Sequence, residues 1–179
     1  ATSFSSGWAF TMVATTTIRF LHQGNTTLEH RSSNSSVTLN AWNHVLVTWD
    51  GSVTAANVHI YVNGSETTYQ TTTNGVTLSS DASDSLSIGN RTTTTDRTFD
   101  GTIAEPSIWA AILGSGEITS LSKGASPATI RPALLKFYSP LWGVASTEPD
   151  FSGNLNTCTV TGAVLANHSP TGPYAGQSE

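Results

Sequence analysis

The chain has 179 residues, enough for one sandwich-sized domain with a buried core and hardly for two. Only 11% are Asp, Glu, Lys or Arg, against about 25% in an average globular protein, and 53 serines and threonines make the surface polar instead. A net charge of −5 with seven basic residues argues against nucleic acid and anionic membrane surfaces as partners, and no apolar run approaches the ~18 residues of a membrane span. A surface built from hydroxyls rather than ions points to an extracellular or assembled β-protein more than to a cytosolic enzyme. Cys158 is the single cysteine, so no intrachain disulfide can form. Ala1 is not followed by a basic-then-apolar signal peptide, which leaves secretion open.

In chain order, residues 7–13 alternate with Trp8, Phe10 and Met12 on one face, and residues 17–22 do so with Ile18 and Phe20. Thr26 to Arg31 reads as a more polar strand, and 37–39 as a short extended lead into the next. The strongest signal is 42–64. Val45, Val47 and Trp49 alternate with His44, Leu46 and Thr48, and Val58, Ile60 and Val62 with His59, Tyr61 and Asn63. Asp-Gly and Asn-Gly bound the two runs, which marks a hairpin. Pairing Asp50 with Asn57 sets Val47 opposite Ile60 and Leu46 opposite Tyr61, so that both apolar sets share one face. The threonine-rich run 67–73 and residues 76–78 read as weaker edge strands, 86–88 as a short strand, and 102–109 as another. At 115–123 the period changes: Ile118 and Leu121 lie three apart, Glu117 is in the first turn, and Gly124 and Pro127 follow. That predicts one short helix. Residues 134–142 and 157–165 return to strand, and 166–179 form a tail or connection. About ten strands and one helix predict a single all-β domain over 1–165, a two-sheet antiparallel β-sandwich or jelly roll.

Several stretches in order resemble the laminin G-like branch of the concanavalin A-like lectin and glucanase fold. They are Trp42-Asn43-His44-Val45, Thr48-Trp49-Asp50-Gly51, Ile60-Tyr61-Val62-Asn63-Gly64, Leu86-Ser87-Ile88-Gly89-Asn90, 99–109 (FDGTIAEPSIW), the helix, and 137–141 (FYSPL). The resemblance covers about residues 7–165 and implies a jelly roll whose relatives bind glycans or proteins, decorate virions or serve as surface modules. Relatives begin with a strand or two before the region matching 7–22. The sandwich is therefore expected to lack its first one or two strands, to be completed by a preceding segment, the C-terminal tail or a neighbouring subunit. Where many relatives read Ile-Asp-Glu, this chain reads Ile103-Ala104-Glu105, which weakens the carry-over of a metal site.

Glycoside hydrolysis needs carboxylates that share a face and flank the glycosidic bond. None of the twelve acids has that alternating spacing, so no catalytic residue is assigned and no enzyme is expected. His168, ten residues after Cys158, makes no nucleophile pair with it, and no zinc spacing occurs. No cofactor is expected beyond weak calcium candidates at Asp96 and Asp100; Asp81 and Asp84, before 85–90, fall at the other end of that segment. For glycans, the face opposite the hairpin's core residues offers Tyr61 beside His59, Thr48, His44 and Asn63. Five Asn-X-Ser/Thr sequons, at Asn25, Asn34, Asn63, Asn90 and Asn167, are glycosylation candidates.

These features lead to a non-enzymatic module of extracellular display or assembly, a subunit or appendage of a surface layer, filament or virion. Its partners would be copies of itself or neighbouring subunits. A carbohydrate-binding module using the Tyr61 face is the alternative, and a glycoside hydrolase is disfavoured.

Overall fold

The computed structural model describes residues 6–24, 26–90, 98–143 and 147–167. The chain divides into two compact units, Ala1–Asp84 with Ile112–Ser122, and Ser85–Ala111 with Lys123–Glu179. Every strand pair among the described residues is antiparallel.

In the first unit the strands are β1 (Trp8–Val13), β2 (Thr17–His22), β3 (Leu28–Ser32), β4 (Val45–Trp49), β5 (Val58–Val62), β6 (Ser65–Glu66) and β7 (Tyr69–Thr73). One sheet runs β1-β2-β3-β7 and the other β4-β5-β6. Their facing sides form one core: Ile18, Phe20 and Leu28 meet Ala55, Val58 and Ile60, with Phe10, Val37, Val47, Trp49, Val62 and Tyr69 packed around them. The sandwich thus holds together by burying the apolar parity of each strand. The hairpin register is the expected one, Val47 opposite Ile60 and Leu46 opposite Tyr61. Asp50 organises the loop by accepting from Ser52 N (2.9 Å) and Asn57 Nδ2 (2.7 Å). Asn63 and Gly64 have φ of 51° and 83°, the two positive values that a two-residue hairpin turn demands. Helix α1 (Ser115–Ser122) buries Ile118 and Leu121 as predicted.

Two details of this unit differ from the pattern. Val45 keeps its parity but is 42% exposed, because it lies at the end of edge strand β4. His22 and His30 occupy the core parity of β2 and β3, and both are buried. On the sheet's other face Glu29 joins Arg19 and Arg31 in ion pairs.

The second unit contains β8 (Ser107–Trp109) paired with β9 (Leu135–Tyr138), and β10 (Thr147–Glu148) paired with β11 (Cys158–Thr159). Leu135, Phe137 and Tyr138 are buried, and the Trp109 indole donates to the Ile130 carbonyl at 2.7 Å.

Several predicted strands are shorter or missing. Residues 102–106 are not strand, because Glu105 adopts φ 59° immediately before Pro106. Residues 86–88 remain irregular, with Leu86 and Ile88 exposed. The lead-in at 37–39 is irregular, and Ser36 N and Val37 N both donate to Thr16 O. Residues 76–78 leave Val76 exposed and pair with no strand, and 160–165 break at Gly162, φ 70°.

Candidate functional site

The outer face of β4-β5-β6 follows from the register. Thr48 lies opposite His59, Leu46 opposite Tyr61, and Tyr61 opposite Glu66. Thr48, His59, Tyr61 and Glu66 therefore share a face. Burial raises the Tyr61 pKa, the Glu66 charge adds to the rise, and the neighbouring Thr48 side chain opposes it. His59 Nδ1 lies 2.7 Å from Glu66 Oε1. Thr48 is buried, so it underlies Tyr61 rather than reaching outward. His44 and Asn63 close the end of the hairpin. Asn63 Oδ1 accepts from His44 N at 2.9 Å, and Asn63 N donates to His44 O at 2.8 Å. Burial lowers the His44 pKa. Of the five glycan candidates, the fold thus groups Tyr61, His59 and Thr48, and places His44 and Asn63 at the turn.

Beside this face lies a cleft of about 340 Å³ between the loop 33–36 and residues 62–68. Ser33, Asn34, Ser36, Asn63, Glu66 and Thr68 line it. Ser33 N donates to Thr68 O, and Thr68 Oγ1 to Ser33 Oγ, both at 2.7 Å, which pins the loop to the segment before β7. Glu66 supplies the carboxylate. Burial works to raise its pKa, but hydrogen bonds from His59 and Tyr69 outweigh that and hold it below the usual value. Hydroxyls, amides and one carboxylate around a concave space match the donor and acceptor pattern of a polyol. A lone carboxylate cannot provide both the acid and the base of glycoside hydrolysis. Sequence reasoning did not assemble this cleft; its one local sign is that the Asn34 and Asn63 sequons stand on its two walls.

Tyr69 stands behind the cleft. Its hydroxyl accepts from Ile60 N at 2.9 Å and donates to Glu66 Oε1 at 2.7 Å. A residue of one sheet thereby satisfies a backbone amide of the other. Burial chiefly raises the Tyr69 pKa.

The remaining candidates are dispersed. Asn34 Oδ1 accepts from Thr17 Oγ1 at 3.1 Å, Asn90 Nδ2 reaches Thr98 Oγ1, and Asn167 is exposed. Asn25 and Asp96 lie outside the described residues. Asp100 is exposed, while Asp84 accepts from Ser6 Oγ at 2.6 Å. Among the described residues no three His, Cys, Asp or Glu side chains gather as a metal site. In the second unit, Glu105 accepts from the Tyr138 hydroxyl at 2.5 Å. Cys158 is a free thiol whose pKa burial raises.

One polar knot has no counterpart in the sequence reading. Asp150 Oδ1 accepts from Tyr138 N and Ser152 N, and its Oδ2 from Asn156 N, Asn156 Nδ2 and Ser152 Oγ. Asn154 and Asn156 in turn donate to the carbonyls of Leu135 and Lys136. Burial tends to raise the Asp150 pKa, but these bonds prevail and hold it at about 2. The Asp-x-Ser-x-Asn-x-Asn spacing is spent inward on β9, as a staple of the loop.

Among the described residues, no helix is long and apolar enough to cross a membrane. No curated protein and no solved structure gives a significant match to the chain. A laminin G-type family model does match, over residues 1–119. It spans 119 of 179 residues, including the whole β1 to β7 sandwich and the first five residues of α1, and by that match the chain belongs to the concanavalin A-like lectin/glucanases superfamily.

Proposed function

We propose that this chain is a non-enzymatic module of display or assembly outside the cytoplasm, a subunit or appendage of a surface layer, filament or virion, which joins a second copy of itself through β1. The observation that supports this is the state of that edge. Among the described residues β1 pairs with β2 alone, and its sequence WAFTMV contains no charge and no proline. Trp8 and Met12 are 37% and 39% exposed on the parity of Phe10, which packs against the core. Isolated proteins blunt such edges with Lys, Pro or a covering segment. An uncharged strand also lets two copies of a chain of net charge −5 approach without local repulsion at the seam. Antiparallel addition of β1 to β1 would be a two-fold, self-complementary contact. No strand among the described residues carries two carboxylates at alternating positions, which agrees with a role without hydrolysis.

Sedimentation velocity over a concentration series tests the proposal. The wild type is expected to self-associate, and Met12→Lys to remain monomeric with an unchanged circular dichroism spectrum. A wild type that stays monomeric at every concentration refutes it.

The cleft favours a second reading, carbohydrate recognition by the same module. A glycan array probed with wild type, Asn34→Ala and Tyr61→Ala decides it. Loss of binding in Asn34→Ala points to the cleft, which Asn34 lines, and loss in Tyr61→Ala to the aromatic face.

A further inference from the structure

The buried histidine of β3 takes no part in the assembly edge or the glycan cleft. His30 is 3% exposed, and neither ring nitrogen has a hydrogen-bond partner. Its ring lies on that of Tyr69, with centroids 3.8 Å apart. Tyr69 in turn ties the sheets together through Ile60 N and holds Glu66, which also takes His59 Nδ1. Four residues from β3, β5, β6 and β7 thus form one chain of contacts, His30–Tyr69–Glu66–His59. We propose that His30 is the acid-sensitive trigger of a latch between the two sheets, and that its protonation releases Tyr69 from Ile60 and Glu66.

The chemistry follows from what surrounds the ring. A neutral imidazole can be buried beside an aromatic ring; an imidazolium there has two N–H donors and no acceptor. The titratable groups facing it are few. Tyr69 of β7 packs on the ring, the charges of His59 on β5 and Glu66 on β6 act on it through space, and β2 presents Phe20 directly opposite with His22 beyond it. The 3-10 turn Ala55–Asn57, also packed on β3, has none. Arg19, Glu29 and Arg31 belong to the opposite parity of the sheet. Burial lowers the His30 pKa, His59 lowers it further, and Glu66 pulls the other way. Among the described residues, Glu66 is therefore the carboxylate whose charge favours the protonated form of His30. A protonated His30 competes with Tyr69 for that carboxylate, and once the tyrosine hydroxyl turns away, Ile60 N loses its acceptor. The sign is that of a base with a lowered folded-state pKa. The closed latch is fully favoured above the ordinary histidine value and weakens as pH falls below it towards the lowered folded-state value.

Hydrogen exchange on the full chain reads this directly. Protection at Ile60 and across residues 66–73, corrected for intrinsic exchange, is expected to fall about tenfold between pH 7.5 and 5.0. The ceiling set by an ordinary value near 6.5 is about thirtyfold. In His30→Phe the protection at pH 5.0 is expected to match that at pH 7.5, whereas His22→Gln should retain the wild-type loss. Unchanged wild-type protection, or an equal loss in His30→Phe, overturns the proposal. Should His30→Phe not fold, NMR titration of the wild type carries the test. A His30 ring that protonates together with the loss at 66–73 supports the latch, and one that protonates without it refutes the latch.

Discussion

Tyr69→Phe isolates a single oxygen. The ring stays on His30 and against the core, while the hydroxyl that joins the two sheets is removed. Ile60 is fully buried, and its amide points at that oxygen. Without it the amide has no acceptor from β6, whose pairing with β5 is confined to Tyr61 and Val62. A buried donor left unpaired costs about 1–3 kcal/mol. The lost bond to Glu66 adds less than about 1 kcal/mol, because the carboxylate is partly exposed, keeps His59 and can take water. The sum is about 2 kcal/mol. With a urea m-value of about 2 kcal/mol/M for a small unit, the midpoint should fall by about 1 M. Tryptophan fluorescence of a variant that keeps Trp49 alone, which packs on Phe20 at 5.3 Å between centroids, reports on this core. Amide exchange at Ile60 should quicken more than at Val58. A midpoint within about 0.2 M of wild type, with Ile60 still protected, would falsify the account of Tyr69 as a tether.

Two further substitutions probe the local geometry. Gly64→Ala should cost about 1–2 kcal/mol, measured as a shift of the same unfolding curve. Its φ is 83°, and an added Cβ would lie 2.5 Å from Ser122 Oγ in α1. The companion Gly51→Ala, also at positive φ but in open space, should lose only the strain part. Asp150 sets an acid limit on the second unit. Its folded-state value of about 2 is depressed from 3.8. The stability it contributes is therefore present above about pH 4 and is lost as pH falls towards 2. Discounted for partial exposure, that loss is about 1–2 kcal/mol. Asp150→Asn should remove this acid-dependent part, and an identical acid profile in the variant would show that other carboxylates carry it.

The sequence sufficed for what neighbouring residues control. Period-two alternation placed Val47, Val58 and Ile60 inward, Asp50 and Asn57 set the β4-β5 register, and Asn63-Gly64 left no other compact turn. The spacing of Ile118 and Leu121 did the same for α1. Tertiary structure decided whatever depends on partners far along the chain. Whether 76–78 or 86–88 became strands depended on finding an edge to pair with, and neither did. Val45 has the parity of a core residue, but the end of an edge strand leaves it uncovered. The cleft needs 33–36 to meet 62–68, and the latch needs β3, β5, β6 and β7 in register at once. His30 carries a sign of its fate in sequence, since it shares parity with Leu28. Burial of its ring between two sheets, with no acceptor for a proton-bearing nitrogen, follows only from the packed sandwich.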